Sequence, residues 1–138
     1  GEPRTMQKNP VYTDLLSEVK SFLAERARAL TDLGVSAEKI VLDPGFGFGK
    51  TVSQNFELLA KTEDFLSLGY PLLYGMSRKS SLGAVTGITK AEERLISSVT
   101  AHLLAVERGA SIVRVHDVKQ MKEALTIYKA MVHYKDLK

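Results

Sequence analysis

The chain has 138 residues, 44% hydrophobic and 25% charged, with no cysteine, a balance that excludes a disordered chain, a collagen-like repeat and a disulfide scaffold. Its scattered basic residues, with a net charge of +3, do not favour a nucleic-acid surface, and its longest uncharged stretch, residues 65–77, is too short to span a bilayer. We therefore expect one cytoplasmic globular domain over residues 1–138, without nucleic-acid or membrane partners.

The hydrophobic pattern predicts helices and strands in alternation. Apolar residues at three- and four-residue steps over residues 15–30 predict an amphipathic helix that Gly34 ends. The β-branched run over residues 39–42 predicts a short buried strand. A glycine-rich loop at residues 45–49 then separates this strand from a second helical pattern over residues 56–66.

The next segments continue the alternation. Residues 71–76 predict a second strand, and the polar, glycine-containing stretch over residues 77–87 predicts a loop. Thr89 and Glu92 form a T-x-x-E pattern, which is typical of a capping box. This pattern predicts that a long helix begins there and ends near Gly109.

The last elements complete the prediction of the fold class. Residues 112–116 predict a third strand, and Asp117 is placed to cap a final helix. Strands separated by helices need crossover connections, so the sheet is parallel and the fold is α/β. Three parallel strands leave two open edges, and an eight-stranded α/β barrel takes about 250 residues, so we expect roughly half of a barrel.

Polar residues follow each predicted strand, at the carboxyl ends where parallel α/β folds bind ligands. Asp43 follows the first strand and either closes a turn or is a buried carboxylate that accepts hydrogen bonds from a ligand's N–H edge. Ser77-Arg78-Lys79-Ser80 follows the second strand and is either a solvated loop or a holder of a carboxylate or phosphate.

The third strand carries Arg114 and His116, which point to the same face because they lie two residues apart. A buried guanidinium without a partner would be costly. We therefore predict that Arg114 meets an anionic or planar ligand, or forms an internal ion pair with Asp43 or Asp117. We expect His102 to be structural, because it has no neighbours at metal-ligand spacing.

The glycine-rich loop and its lysine do not complete a nucleotide motif. Pro44 stands where a phosphate-binding loop needs its first glycine, and Lys50 stands where the dinucleotide fingerprint needs its third. A nucleotide-binding α/β protein remains an alternative because of this lysine. We expect the glycines to let the backbone approach a ligand, with Phe48 as an apolar wall and Phe46 in the core.

Three spaced motifs carry a resemblance: Asp43-Pro44-Gly45-Phe46-Gly47-Phe48-Gly49-Lys50, Gly75-x-Ser77-Arg78-Lys79-Ser80 and Arg114-Val115-His116-Asp117. With the opening Gly1-x-Pro3-x-Thr5-Met6-Gln7, they resemble the C-terminal half of the bacterial dihydropteroate synthases. The resemblance implies the C-terminal half of a TIM (β/α)8 barrel. It also implies a folate-pathway transferase that joins 6-hydroxymethyl-7,8-dihydropterin pyrophosphate to p-aminobenzoate and releases pyrophosphate.

The same resemblance implies the site residues. It places four residues around the pterin, which are Asp43, Gly75, Lys79 and Arg114. It places three residues around p-aminobenzoate, which are Phe48, Ser77 and Ser80. The catalytic groups that it implies are Lys79, Arg114 and His116, and the last two of these also bind the pyrophosphate.

The resemblance further implies Mg²⁺, a homodimer formed through the last two helices, and a site where sulfonamides mimic p-aminobenzoate. The main Mg²⁺ ligand would lie in the N-terminal half of the family's barrel, and we expect no metal ligand within this chain. We expect this chain alone to be weakly active or inactive. A pterin-binding half-barrel without catalysis is the remaining alternative.

Overall fold

The structure is a computed structural model that describes residues 12–137, so the predicted motif at residues 1–7 lies outside the described residues. Helices and strands alternate along the chain. The helices are α1 (Leu15–Asp32), α2 (Val52–Ala60), α3 (Ser80–Thr86), α4 (Leu95–Glu107) and α5 (Val118–Val132). The strands are β1 (Leu73–Tyr74) and β2 (Ile112–Val113). Four short 3₁₀ segments are Ala37–Lys39, Thr62–Leu68, Ala91–Glu93 and Tyr134–Asp136.

Three extended segments lie side by side in chain order, all parallel. Leu42 forms an isolated parallel bridge with Leu72, and β1 pairs with β2 in the register Leu73 to Ile112. The prediction of a strand over residues 39–42 is wrong at its start, because Ala37–Lys39 form a 3₁₀ turn. In the described structure, the extended segment at Leu42 pairs with one neighbouring segment, so it forms few backbone hydrogen bonds between strands. The predicted parallel order of three segments is confirmed.

Apolar side chains from the helices cover these extended segments. Leu72, Tyr74 and Met76 alternate along the second segment, and all three are fully buried. Of the apolar residues behind the predicted first helix, four at four-residue spacing form a buried stripe, Leu15, Val19, Leu23 and Ala27, whereas Phe22 and Leu30 are exposed. Burying each large apolar side chain contributes about 1.5–3 kcal/mol to the free energy of folding, so this packing fixes the strands that carry the site.

The start of α4 corrects one prediction. The T-x-x-E pattern at Thr89 does not begin the helix, which instead begins at Leu95. The guanidinium of Arg94 donates a hydrogen bond to the carbonyl of Thr89 at 2.6 Å, and a separate 3₁₀ turn forms over Ala91–Glu93. A capping box is present at α2, where the side chain of Thr51 accepts from the backbone N–H of Gln54.

Two further predictions need correction. The stretch after β1 contains a short helix, α3, where the sequence predicted a loop throughout. Asp117 occupies the N-cap position of α5 as predicted, but its side chain caps no backbone N–H. Its carboxylate instead accepts from Arg78, with 2.9 Å between Nη2 and Oδ1. Within residues 12–137, no helix combines the length and the apolar character needed to cross a membrane.

Candidate active site

A cleft of about 290 Å³ opens at the carboxyl ends of β1 and β2. Its lining residues come from the two segments that follow these strands, and they are Gly75, Ser77, Lys79, Arg114, Val115 and His116. Asp43 adjoins them, with its Oδ2 4.0 Å from Nη2 of Arg114. The structure therefore brings together the carboxylate, the ammonium and the guanidinium that follow three successive parallel segments.

Asp43 closes a turn and also faces a cation. Its Oδ1 accepts from the backbone N–H of Gly45 at 2.9 Å, as expected of an aspartate in an Asx turn. Its Oδ2 lies near Arg114. The prediction of a buried carboxylate is wrong, because the side chain is 39% exposed at the open edge of the sheet.

Arg114 extends along the cleft. Its backbone N–H continues the strand ladder by donating to the carbonyl of Tyr74, and its side chain is 66% exposed, so the cost of burying an unpartnered charge does not arise here. The guanidinium lies against Gly75, where an added Cβ would come within 2.8 Å of Nη2. Of the two ion pairs considered from the sequence, the one with Asp43 is present as a long 4.0 Å contact, and Asp117 pairs with Arg78 instead.

Lys79 reaches across the cleft to the glycine-rich loop. Its Nζ lies 3.6 Å from the centroid of the Phe48 ring, a cation–π contact. Burial lowers the pKa of Lys79, the nearby Asp43 carboxylate opposes that effect, and the Arg114 guanidinium adds to it. Phe48 is exposed and Phe46 is buried in the core, so the predicted division between an apolar wall and a core residue agrees with the structure.

His116 and Ser77 form a pair at the end of the cleft. Nδ1 of His116 lies 2.8 Å from Oγ of Ser77, and the backbone N–H of His116 donates to the same oxygen at 3.2 Å. Ser80 stands apart from this pair. It is the exposed first residue of α3 and is not among the residues that line the cleft.

Lys50 closes the glycine-rich loop on itself. Its buried ammonium donates to the carbonyls of Gly45 and Phe48, both at 3.0 Å. Burial lowers the pKa of Lys50, Asp43 opposes this, and Lys79 adds to it. Because the loop's own carbonyls use this ammonium, the arrangement disfavours the alternative in which the lysine holds a nucleotide phosphate.

Several buried polar residues that support the cleft were not identified from the sequence. Asn55 accepts from the backbone N–H of Gly47 at 2.7 Å and donates to Ser81 at 2.9 Å. Arg94 and Ser98 bond the backbone of the turn before Lys79. Polar residues at four-residue spacing in an otherwise apolar helix were the signal that could have identified the residues of α4.

His102 is structural, as the sequence predicted. Its Nε2 accepts from the backbone N–H of Met76 at 3.0 Å, and its Nδ1 lies 2.7 Å from the carbonyl of Ser98. Because Nε2 accepts a hydrogen bond, the ring is neutral with its proton on Nδ1, and burial lowers the pKa of His102 despite the opposing backbone hydrogen bonds. Within residues 12–137, no group of three or more acidic or histidine side chains is arranged to hold a metal ion.

Comparison with known proteins identifies the family. The family model described as pterin binding enzyme matches residues 1–116. The chain is 42% identical to the dihydropteroate synthase of Escherichia coli strain K12 over 138 residues, which cover all of this chain and 49% of that protein. The chain thus spans about half the length of the curated relatives that it matches.

Solved structures give the same result. The dihydropteroate synthase of Stenotrophomonas maltophilia, solved with active site-bound imidazole, aligns with a TM-score of 0.94 and 50% identity over 96% of this chain and 50% of that one. The enzyme of Thermus thermophilus, in complex with 6HMPPP, aligns with a TM-score of 0.90 and 42% identity over 95% of this chain and 51% of that one. The predicted fold class, a partial α/β barrel, is confirmed. The chain belongs to the family of pterin binding enzymes.

Proposed function

We propose that this chain forms part of the active site of a dihydropteroate synthase of folate biosynthesis. The proposed enzyme joins 6-hydroxymethyl-7,8-dihydropterin pyrophosphate to p-aminobenzoate and releases pyrophosphate. The observation that carries the proposal is the convergence of Asp43, Lys79 and Arg114 at one cleft in a chain of the pterin-binding family. The similar Thermus thermophilus enzyme, which was solved with 6HMPPP and with 4-aminobenzoate, supports the choice of substrates.

The pterin ring would lie between the ends of the three extended segments. Asp43 would accept hydrogen bonds from the amino-pyrimidinone edge, a charge-assisted arrangement. Arg114 would stack its planar guanidinium on the ring, and Gly75 leaves the space that this side chain occupies. Lys79 would donate to the ring's oxygen and nitrogen from the opposite side of the cleft.

The reaction breaks the bond between the methylene carbon and the pyrophosphate oxygen. The bonding electrons leave with the oxygen, and the negative charge that builds there would be stabilised by Arg114 and His116. The amine nitrogen of p-aminobenzoate forms the new bond to the methylene carbon and then loses a proton. The electron-rich pterin carries the developing positive charge, so the step needs no covalent enzyme nucleophile.

The second substrate, p-aminobenzoate, would bind beside Phe48 and Ser77. Phe48 offers an exposed aromatic face, and Ser77 is held by His116 at the mouth of the cleft. Ser80 would contribute from the first turn of α3, although it does not line the cleft of this chain. Sulfonamides, as mimics of p-aminobenzoate, would bind against the same residues.

The cleft residues do not fit a magnesium site by themselves. Mg²⁺ prefers an octahedral set of oxygen ligands at about 2.1 Å. Here Asp43 offers a carboxylate that already bonds Gly45 and faces Arg114, and Lys79 adds another positive charge nearby. We therefore propose that the enzyme's Mg²⁺ ligands lie outside residues 12–137.

The proposed enzyme is a cytoplasmic homodimer. Exposed apolar side chains on the last two helices support an interface there, with Ile96 on α4 78% exposed. On α5, Ile127 and Met131 are also exposed. A contact formed through these helices would remove that apolar surface from water.

Calorimetry with dihydropterin pyrophosphate tests the proposal. We expect this chain to bind it, and Asp43→Asn to weaken binding about ten- to hundredfold, because a hydrogen bond to a charged group contributes about 1.5–3 kcal/mol. Asp64→Asn, at an exposed aspartate outside the cleft, is the matched control. Equal binding by Asp43→Asn and the unchanged chain would contradict the proposed pterin site.

A turnover assay separates the proposed enzyme from a pterin-binding protein without catalysis. We expect little or no dihydropteroate from this chain alone. We expect turnover when it is mixed with the N-terminal half of a relative such as the E. coli enzyme. Pterin binding without turnover in the completed enzyme would instead support the non-catalytic alternative.

A further inference from the structure

Three buried polar side chains of α4 and its N-cap reach the backbone that joins β1 to α3. They lie four residues apart, at Arg94, Ser98 and His102, and none is more than 8% exposed. We propose that these are positioning residues that fix the turn carrying Lys79, and so set where its ammonium meets the pterin. This inference rests on the function proposed above.

His102 and Ser98 hold two backbone amides of the turn. Nε2 of His102 accepts from the N–H of Met76 at 3.0 Å, and Oγ of Ser98 accepts from the N–H of Arg78 at 2.8 Å. The two side chains are also linked, because Nδ1 of His102 lies 2.7 Å from the carbonyl oxygen of Ser98. Both ends of a three-residue segment are therefore bound to one helix, immediately before Lys79.

Arg94 holds the other side of the same turn. Its Nη1 donates to the carbonyl of Arg78 at 2.8 Å, while Nε and Nη2 donate to the carbonyls of Ile88 and Thr89 at 2.9 and 2.6 Å. Gly83 leaves room for it, since an added Cβ there would lie 2.5 Å from Nε. One guanidinium therefore ties together the segments before and after α3.

The turn needs this support because its backbone is strained. Arg78 has a φ of 60°, in the left-handed region that non-glycine residues seldom adopt. Its N–H is bound by Ser98 of α4, its carbonyl is bound by Arg94 at the N-cap of α4, and its side chain pairs with Asp117. Such a conformation persists only where its surroundings determine it, and here it directs Lys79 towards the Phe48 ring.

The principal test is Ser98→Ala in the completed enzyme, in which this chain is combined with the N-terminal half of a relative. Ser97→Ala, at the neighbouring residue of α4 that bonds nothing in the turn, is its matched control. We expect Ser98→Ala to raise hydrogen exchange at the Arg78 amide at least tenfold and to weaken dihydropterin pyrophosphate binding about three- to tenfold. We expect Ser97→Ala to change neither.

A double-variant comparison separates positioning from general stability. If Ser98 acts through Lys79, Ser98→Ala weakens binding in the unchanged enzyme but adds nothing in a Lys79→Ala background. An equal loss in both backgrounds would overturn the inference.

Should Ser98→Ala fail to fold, Arg94→Lys replaces it, because a lysine keeps the charge but cannot reach three carbonyls at once. Its control is Arg108→Lys, whose guanidinium bonds only within its own region of α4.

A ligand-free measurement separates this inference from the proposed function. Protons of the Lys79 side chain near the Phe48 ring should show an upfield ring-current shift in NMR spectra. We expect Ser98→Ala to reduce this shift and Ser97→Ala to preserve it. If the enzyme binds no pterin pyrophosphate, the proposed function fails. The effect of Ser98→Ala on the shift then decides whether α4 positions Lys79, and an unchanged shift overturns that inference.

Discussion

The ammonium of Lys79 lies 3.6 Å from the centroid of the Phe48 ring, so the glycine-rich loop and the segment after β1 meet directly. We expect Phe48→Leu to weaken dihydropterin pyrophosphate binding about two- to fivefold, because a partly exposed cation–π contact contributes about 0.5–1 kcal/mol. Calorimetry measures this. Tyr134→Leu is the control, since Lys135 lies over that exposed ring 5.9 Å from its centroid, in the last 3₁₀ segment. Equal effects of the two substitutions would contradict a role for the contact.

Gly75 leaves the space in which the Arg114 guanidinium lies. In Gly75→Ala, the added Cβ would come within 2.8 Å of Nη2, so the flexible arginine must move while the backbone need not. We expect pterin pyrophosphate affinity to fall about tenfold, the loss of about 1.4 kcal/mol, with little change in the unfolding midpoint. In an Arg114→Ala background the same substitution should cost almost nothing. A full loss there would mean that Gly75 acts independently of Arg114.

Lys50 is expected to contribute to stability rather than to nucleotide binding. Lys50→Met removes the side-chain donor of the Phe48 carbonyl and one of the two donors of the Gly45 carbonyl, which keeps the backbone N–H of Phe48, and we expect a loss of about 1–2 kcal/mol in the free energy of unfolding. Denaturant unfolding measures it, and Lys61→Met, at an exposed lysine, is the control. ATP should bind neither protein. Tight ATP binding that depends on Lys50 would favour the nucleotide-binding alternative instead.

Tyr74 gives a prediction at high pH. Burial raises the pKa of Tyr74 to about 12, and the Thr62 hydrogen bond partly opposes this. As the pH rises above 10, the unfolded chain loses the tyrosine proton while the folded chain keeps it, so stability is full below pH 10 and falls towards pH 12.

We therefore expect the free energy of unfolding to fall between pH 9 and pH 11 by about 1 kcal/mol more in the unchanged chain than in Tyr74→Phe. Denaturant titrations at the two pH values measure the difference. Tyr134→Phe, at an exposed tyrosine, is the control and should behave like the unchanged chain. Identical pH dependence in Tyr74→Phe and the unchanged chain would contradict the assigned cause.

The meeting of Asp43, Lys79 and Arg114 could be predicted from the sequence because it depends on topology alone. Parallel segments joined by helices bring their carboxyl ends to one edge, whatever the details of packing. The buried face of α1 was equally predictable, since its apolar residues recur at helical spacing. Both features follow from local patterns and one general rule of connectivity.

The start of α4 could not be predicted in this way. The patterns at Thr51 and at Thr89 both satisfy the spacing of a capping box, yet only Thr51 forms one. At Thr89 the guanidinium of Arg94 donates to the Thr89 carbonyl, which a helix capped there would use for its first backbone bond. That arginine is itself held by Arg78, sixteen residues away, so the outcome depends on tertiary contacts.

The exposure of Arg114 could not be predicted for a related reason. The apolar residues Ile112 and Val113 beside this charge indicate a strand, but β2 ends at Val113, and the last backbone bond to the neighbouring strand is the one from Arg114 to Tyr74. The arginine side chain therefore extends past the edge of the sheet into the cleft. A strand's length is set by its neighbours as well as by its own residues, and a single sequence does not show them.

The ion pair between Arg78 and Asp117 has a consequence for the last helix. Arg78 immediately precedes Lys79 in the chain, and Asp117 immediately precedes the first residue of α5. This 2.9 Å ion pair therefore couples the N-cap of α5 to the residue before Lys79. Amino-acid changes along this helix, outside the cleft, therefore have a route through the ion pair to the position of Lys79.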